Sequence, residues 1–220
     1  MPLTYPLPLA TFADILPIAS ISFHLPEQVV MSRTGKGEQL SADVGERLWT
    51  GQITLGRLTR AEAGRPEVLI DLIRQNASRT FLLYDRYRTN PLLDPTGTIL
   101  GASTPSILAL GSDARELSLT GLPVGYTLSV GDYIAFAYGT APVLSALHRV
   151  VDTTVTANGS GQTPLFEVTP ALRPGAVAAA PVTLRKAFCK AVAVAGSIEE
   201  AMRYSTITEG MAFEWVQTLR

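Results

Sequence analysis

GDYIAFAYGTAPVLSALHRVV, residues 131–151, contains two short apolar runs bounded by Gly and Pro. Branched and aromatic side chains in runs of this length read as strands. His148, one of two histidines in the chain, lies in the second run beside Arg149. If the pair does chemistry, the chain is an enzyme; if it does not, the segment is scaffold. Period-2 alternation puts His148 and Arg149 on opposite faces, whereas a general base needs an orienting partner and a nucleophile or water to activate. The nearest local acids are Asp132 and Asp152, and a neighbouring strand would have to bring Asp132 round to the histidine. Scaffold is the preferred reading: a strand histidine hydrogen-bonded at a barrel edge, whose replacement by alanine costs a modest, local loss of stability.

The same texture continues on both sides of this stretch. SILAL (106–110), ELSLTG (116–121), PLFEVTP (164–170) and APVTLRKAFC (180–189) recur at short spacing with Gly, Pro, Asn or Asp between them. Without helical periodicity, such spacing predicts a small barrel or sandwich. TANGSGQT (156–163) is its hairpin tip, and the Asn158-Gly-Ser sequon within it reads as a turn.

Before residue 99 the pattern differs. SISFHLPEQVVMS (20–32) alternates as two strands or one bent strand, with Ile21, Phe23 and Leu25 on one face. RTGKGEQ (33–39) is a polar turn, and LWTGQITLGRL (48–58) alternates again around a bulge expected at Gly51. A helix is predicted over about 60–76. Thr59 and Glu62 form a capping box, and Ala63, Val68, Leu69, Leu72 and Ile73 make an apolar stripe, although Pro66 could instead mark the first helical residue. TFLLYD (80–85) is a further strand. At the C-terminus, Met211, Phe213, Trp215 and Gln217 share one face of a strong final strand, which needs a sheet to join, and the N-terminal part is the candidate host. The predicted fold is therefore mainly β with one amphipathic helix, a β-rich α+β class. A split-barrel domain, residues 1–98 plus 187–220, is interrupted by an inserted small β-barrel, OB-like, over 99–186.

Composition excludes several functions. Eighteen Lys and Arg balance 19 Asp and Glu, so no positive field draws in nucleic acid. The low charge, 17% of residues, leaves neutral surface for burial against other subunits. Nothing approaches the ~20 consecutive apolar residues of a membrane span, and the N-terminus lacks the charged and apolar regions of a secretory signal. The lone Cys189 builds neither a disulfide nor a multi-thiolate metal site, and it reads as a buried strand thiol. His24 has no metal-ligand spacing to His148, Glu199-Glu200 reads as a solvated face, and Gly35-Lys36-Gly37 lacks the P-loop spacing. No catalytic residue, cofactor or metal is expected.

GLPVGYTLSVGDYIAF (121–136), LHRVVDTTVTANGSGQTPLFEVTPALRPG (147–175) and PVTLRKAF (181–188) together trace a Gly-Asp-aromatic strand start, a Leu-His-Arg-Val strand, an Asn/Gly hairpin, a strand ending in Thr-Pro, a Leu-Arg-Pro turn and a final strand. With the flanks TFLLYDRYRTNP (80–91) and GMAFEWVQTL (210–219), this resembles the distal tail protein of long-tailed phages, prophages and gene-transfer-agent-like particles. The resemblance covers most of the chain from about Leu48. It implies a structural virion protein of the tail tip, made in the bacterial host cytoplasm, that forms a hexameric ring between tail-tube and baseplate hub proteins, without an active site. A ring subunit keeps apolar surface for its neighbours. The candidate for that assembly interface is Val29, Val30 and Met31, consecutive in the long hairpin QVVMSRTGKGEQL (28–40), where at least one must leave the domain's own core unless the strand is covered on both faces. Two other readings are weighed: a carbohydrate-binding module using the aromatics of the inserted barrel, and a cell-wall hydrolase; Tyr133, Phe136 and Tyr138, without Lys among them, make a weak nucleic-acid face.

Overall fold

A computed structural model describes residues 3–43, 45, 47–75, 78–140 and 142–219. Along the chain a 3-10 turn at Leu9–Thr11 precedes β1 (Ile18–Ile21). Then come β2 (Val29–Arg33), β3 (Gln39–Asp43), β4 (Thr50–Leu55) and β5 (Leu58–Thr59), which leads into helix α1 (Arg60–Arg74). β6 (Phe81–Tyr84) is followed by a long connection to β7 (Ser106–Leu110), β8 (Glu116–Thr120), β9 (Thr127–Ser129), β10 (Tyr133–Tyr138) and β11 (Leu144–Val150). β12 (Thr154–Thr156), β13 (Phe166–Thr169) and β14 (Val182–Thr183) complete the middle of the chain. β15 (Phe188–Ala193), β16 (Met202–Arg203), β17 (Ile207–Glu209) and β18 (Ala212–Gln217) end it.

The fold is mainly β with one helix. A five-stranded antiparallel sheet in the order β1-β4-β18-β15-β6 forms a half-barrel, and a six-stranded sheet in the order β14-β10-β11-β13-β8-β7 nearly closes on itself. Closure comes from β7, whose Ile107 N–H donates to Ala180 O at 3.0 Å, while Val182 N–H donates to Pro105 O at 2.8 Å. The final strand β18 lies inside the first sheet, paired with β4 on one side and β15 on the other. Its alternation explains the position: Met211, Phe213, Trp215 and Gln217 are all buried.

Two apolar clusters result, and the β10–β11 ribbon is the wall between them. Tyr133, Ala135 and Leu147 belong to the first cluster, with Trp49, Phe213 and Trp215. Ile134, Phe136, Tyr138, Ala146 and Val150 belong to the second, with Leu117 and Phe166. A ribbon buried on both faces reads as a near-continuous apolar run, as residues 133–138 do.

Several local expectations are corrected. The helix begins directly after Thr59, as the capping box predicts, because the Glu62 carboxylate accepts from Thr59 N–H at 3.0 Å and from its hydroxyl at 2.8 Å; what is corrected is the alternative start at Pro66, which lies inside the helix and is buried. The expected last helical residue, 76, lies outside the described residues. The buried stripe is Ala63, Pro66, Leu69, Ile70 and Ile73, whereas Val68 is exposed. Gly51 carries no bulge: its pairing with Trp215 is regular, and the register shift falls between Ile18 and Ser20 of β1. The glycine is needed for close approach, since a Cβ there would lie 1.8 Å from Ser22 O. APVTLRKAFC is two strands in two sheets, separated at Lys186, whose φ of 49° turns the chain from β14 into β15.

Candidate functional site

His148 is 1% exposed on β11, an interior strand of the six-stranded sheet rather than a barrel edge. Its Nδ1 lies 2.8 Å from Pro170 O and its ring stacks on Phe136 at 5.3 Å, while Nε2 has no partner among the described residues. Burial, assisted by the nearby Arg173 charge, lowers its pKa to about 4 against the pull of the Pro170 carbonyl. Asp132 is not its partner: that carboxylate accepts from Ser129 N–H at 2.8 Å and Leu92 N–H at 2.9 Å, pinning the long connection to the start of β10.

Arg149, on the opposite face as alternation requires, lies against two neighbouring rings, 4.9 Å from the Trp49 centroid and 4.8 Å from that of Tyr133. It also donates to the Tyr133 hydroxyl, which donates in turn to Asp85 at 3.2 Å. Burial pushes the Tyr133 hydroxyl up to about 12. Trp49 Nε1 donates to Leu147 O at 2.7 Å, and Gln217 Nε2 donates to Ser145 O at 3.2 Å. These bonds join the half-barrel to the back of β11. Sequence reasoning missed the network, because its members are distant in the chain and each alone is an ordinary buried residue; only the Trp, Arg and Tyr residue types hinted at cation–π packing.

The remaining chemical candidates are dispersed. Cys189 is fully buried on β15, and burial pushes its thiol up to about 12. His24 is exposed and pairs through its backbone with Thr50. Glu199 and Glu200 are exposed, the latter 3.2 Å from Arg74. Among the described residues no group of three or more His, Cys, Asp or Glu could hold a metal ion. Tyr133, Phe136 and Tyr138 are all buried, so they offer no surface on which a sugar could stack.

The β2–β3 hairpin is different in kind. Among the described residues its two strands pair only with each other, closed at the tip by Thr34, whose N–H donates to Glu38 O at 2.9 Å. Val30 is 60% exposed, Met31 56% and Leu40 54%, while Val29 at the root is half-buried. The register puts Val30 and Leu40 on one face and Met31 on the other, so both faces carry uncovered apolar groups. Arg47 closes the root by donating to Leu25 O at 2.5 Å and Pro26 O at 3.3 Å across the two stems, and Arg173 ties it to the body by donating to Arg47 O at 3.3 Å. A cleft of about 650 Å³ lies at that root, with Val29 and Arg47 on one side and Glu167 and Arg173 on the other. An isolated two-stranded ribbon is marginal in water. Its apolar side chains therefore stand in solvent on a ribbon held mainly by its own pairing.

No protein-family model and no curated protein matches the chain. No helix among the described residues is long and apolar enough to cross a membrane.

Proposed function

We propose that the chain is a structural subunit of the distal-tail type, which forms a hexameric ring between the tail tube and the baseplate hub of a long-tailed phage or related particle. The observation that carries this reading is the hairpin with uncovered apolar groups on both faces, Val30 and Leu40 on one and Met31 on the other. A monomer gains nothing from such an arm, whereas a ring subunit covers it on assembly. The architecture supports the same reading: a terminal strand that returns to the first sheet and a barrel-like segment between. In this reading Val29, Val30 and Met31 belong to the subunit interface, the partners are further copies and the tube and hub proteins, and the location is the virion tail tip. Light scattering on the purified chain, alone and mixed with the tail-tube protein, tests it. A six-fold ring in either sample is expected; a strict monomer in both overturns it.

A further inference from the structure

The turn after β12 holds an asparagine whose surroundings the assembly reading does not use. Three asparagines occur in the chain, Asn76, Asn90 and Asn158, and only Asn158 precedes glycine. Asn158, Gly159 and Ser160 are all exposed, and a Cβ at Gly159 would meet nothing within 4 Å, so water reaches the peptide unit freely. Asn158 Oδ1 accepts from Ser160 N–H at 2.8 Å and from Gln162 N–H at 3.0 Å. Two N–H groups converging on one side-chain atom identify it as the oxygen. The side chain thereby closes onto the residue two positions on, spanning the intervening Gly159, whose N–H has no partner among the described residues. The body of the protein holds this shape: Leu122 N–H donates to Gly161 O at 3.2 Å, and Thr163 is buried with its hydroxyl accepting from Leu119 N–H at 2.9 Å.

We infer that Asn158-Gly159 is a site of spontaneous succinimide formation and deamidation, accelerated by the fold. Hydroxide removes the Gly159 amide proton, and the nitrogen attacks Asn158 Cγ, forming the N–Cγ bond. Negative charge develops on Oδ1, where the Ser160 and Gln162 N–H groups already point, as donors do in an oxyanion hole. The Cγ–Nδ2 bond then breaks, and ammonia leaves with a proton from water. Water opens the five-membered ring at either carbonyl, giving aspartate or isoaspartate; the sum is amide plus water to carboxylate plus ammonium. No oxidant or cofactor enters. The product adds one negative charge and, in the isoaspartate form, one backbone methylene.

The full-length chain is incubated in mildly alkaline buffer, folded and in denaturing urea. Conversion is followed by the ~1 Da gain in mass per event and by isoaspartate in the peptide spanning residue 158. Asn90 is an internal reference, since Pro91 has no amide proton to lose. Folded protein is expected to convert at residue 158 on the order of tenfold faster than the unfolded chain, below the effect of a dry oxyanion hole because the turn is solvated. A folded rate equal to or below the unfolded one overturns the inference. Ser160→Pro removes the 2.8 Å donor and should bring the folded rate down towards the unfolded value; a folded Ser160→Pro protein with an undiminished rate also overturns it.

Discussion

Two hairpins of this protein place apolar residues on both faces, and they end differently. In β10–β11 both faces are covered by the chain itself, one by the cluster around Trp49 and Trp215 and the other by the cluster around Phe166. In β2–β3 neither face is covered, and Val30, Met31 and Leu40 stand in solvent. Local pairing is the same, so pairing does not decide which hairpin is covered and which is exposed. What decides is whether the rest of the chain supplies a lid. Without one, an apolar two-sided ribbon keeps its side chains in solvent, and in the assembly we propose a neighbouring subunit covers them.

The sharpest way to break the contrast is to hollow out the covered ribbon. Phe136→Ala should lower unfolding free energy by about 3–5 kcal/mol, read from urea denaturation, because the ring is buried and stacked on His148. A loss below 1 kcal/mol, a surface-like response, would erase the distinction between the hairpins.

Acid should test the same wall nearly as hard. His148 is neutral in the fold with a pKa of about 4, whereas the unfolded chain takes up the proton below about 6.5. Its contribution to stability is therefore complete above pH ~6.5 and is lost as pH falls towards 4, a change on the order of 3 kcal/mol. Urea midpoints across that range should fall more steeply for the natural chain than for His148→Phe; parallel curves would show that the imidazole takes up its proton equally in the folded and the unfolded chain.

A smaller effect is expected at the crossing of β4 and the chain leaving β1. Gly51→Ala places a methyl against Ser22 O, and forcing the strands apart should cost about 1–3 kcal/mol by thermal or urea unfolding. An unchanged midpoint would mean that the close approach relaxes without cost.

The smallest stability effect belongs to the uncovered ribbon. Replacing Val30 and Met31 together by serine should change monomer stability by no more than about 0.5 kcal/mol, while abolishing any ring seen by light scattering. A ring that persists would move the interface away from this arm.

Much of the fold was legible because alternation reports faces. The burial of Met211, Phe213, Trp215 and Gln217 follows from period 2, and Thr59 with Glu62 marks the helix start through local hydrogen bonds. Alternation does not report which sheet a strand joins, and APVTLRKAFC therefore read as one strand although Lys186 divides it between two sheets. Nor does it distinguish a helical residue at the rim of a stripe from one beneath it, which reversed Val68 and Ile70. Gly51 carried a true signal with the wrong cause, a close approach instead of a bulge. For the candidate interface, three consecutive apolar residues required that something protrude. Only the absence of a covering sheet identified Val30 and Met31 as the protruding pair.

The shared wall also governs how the molecule may be divided. A fragment cut at residues 99 and 186 would keep every strand of the nearly closed sheet, yet Tyr133, Ala135 and Leu147 would turn a bare apolar side to water, and Arg149 would lose the Trp49 ring beneath it. Sequence continuity makes the segment look like a cassette that could be excised or exchanged. Its physical boundary runs through the middle of a ribbon, so any graft has to carry a matching Trp49 face with it.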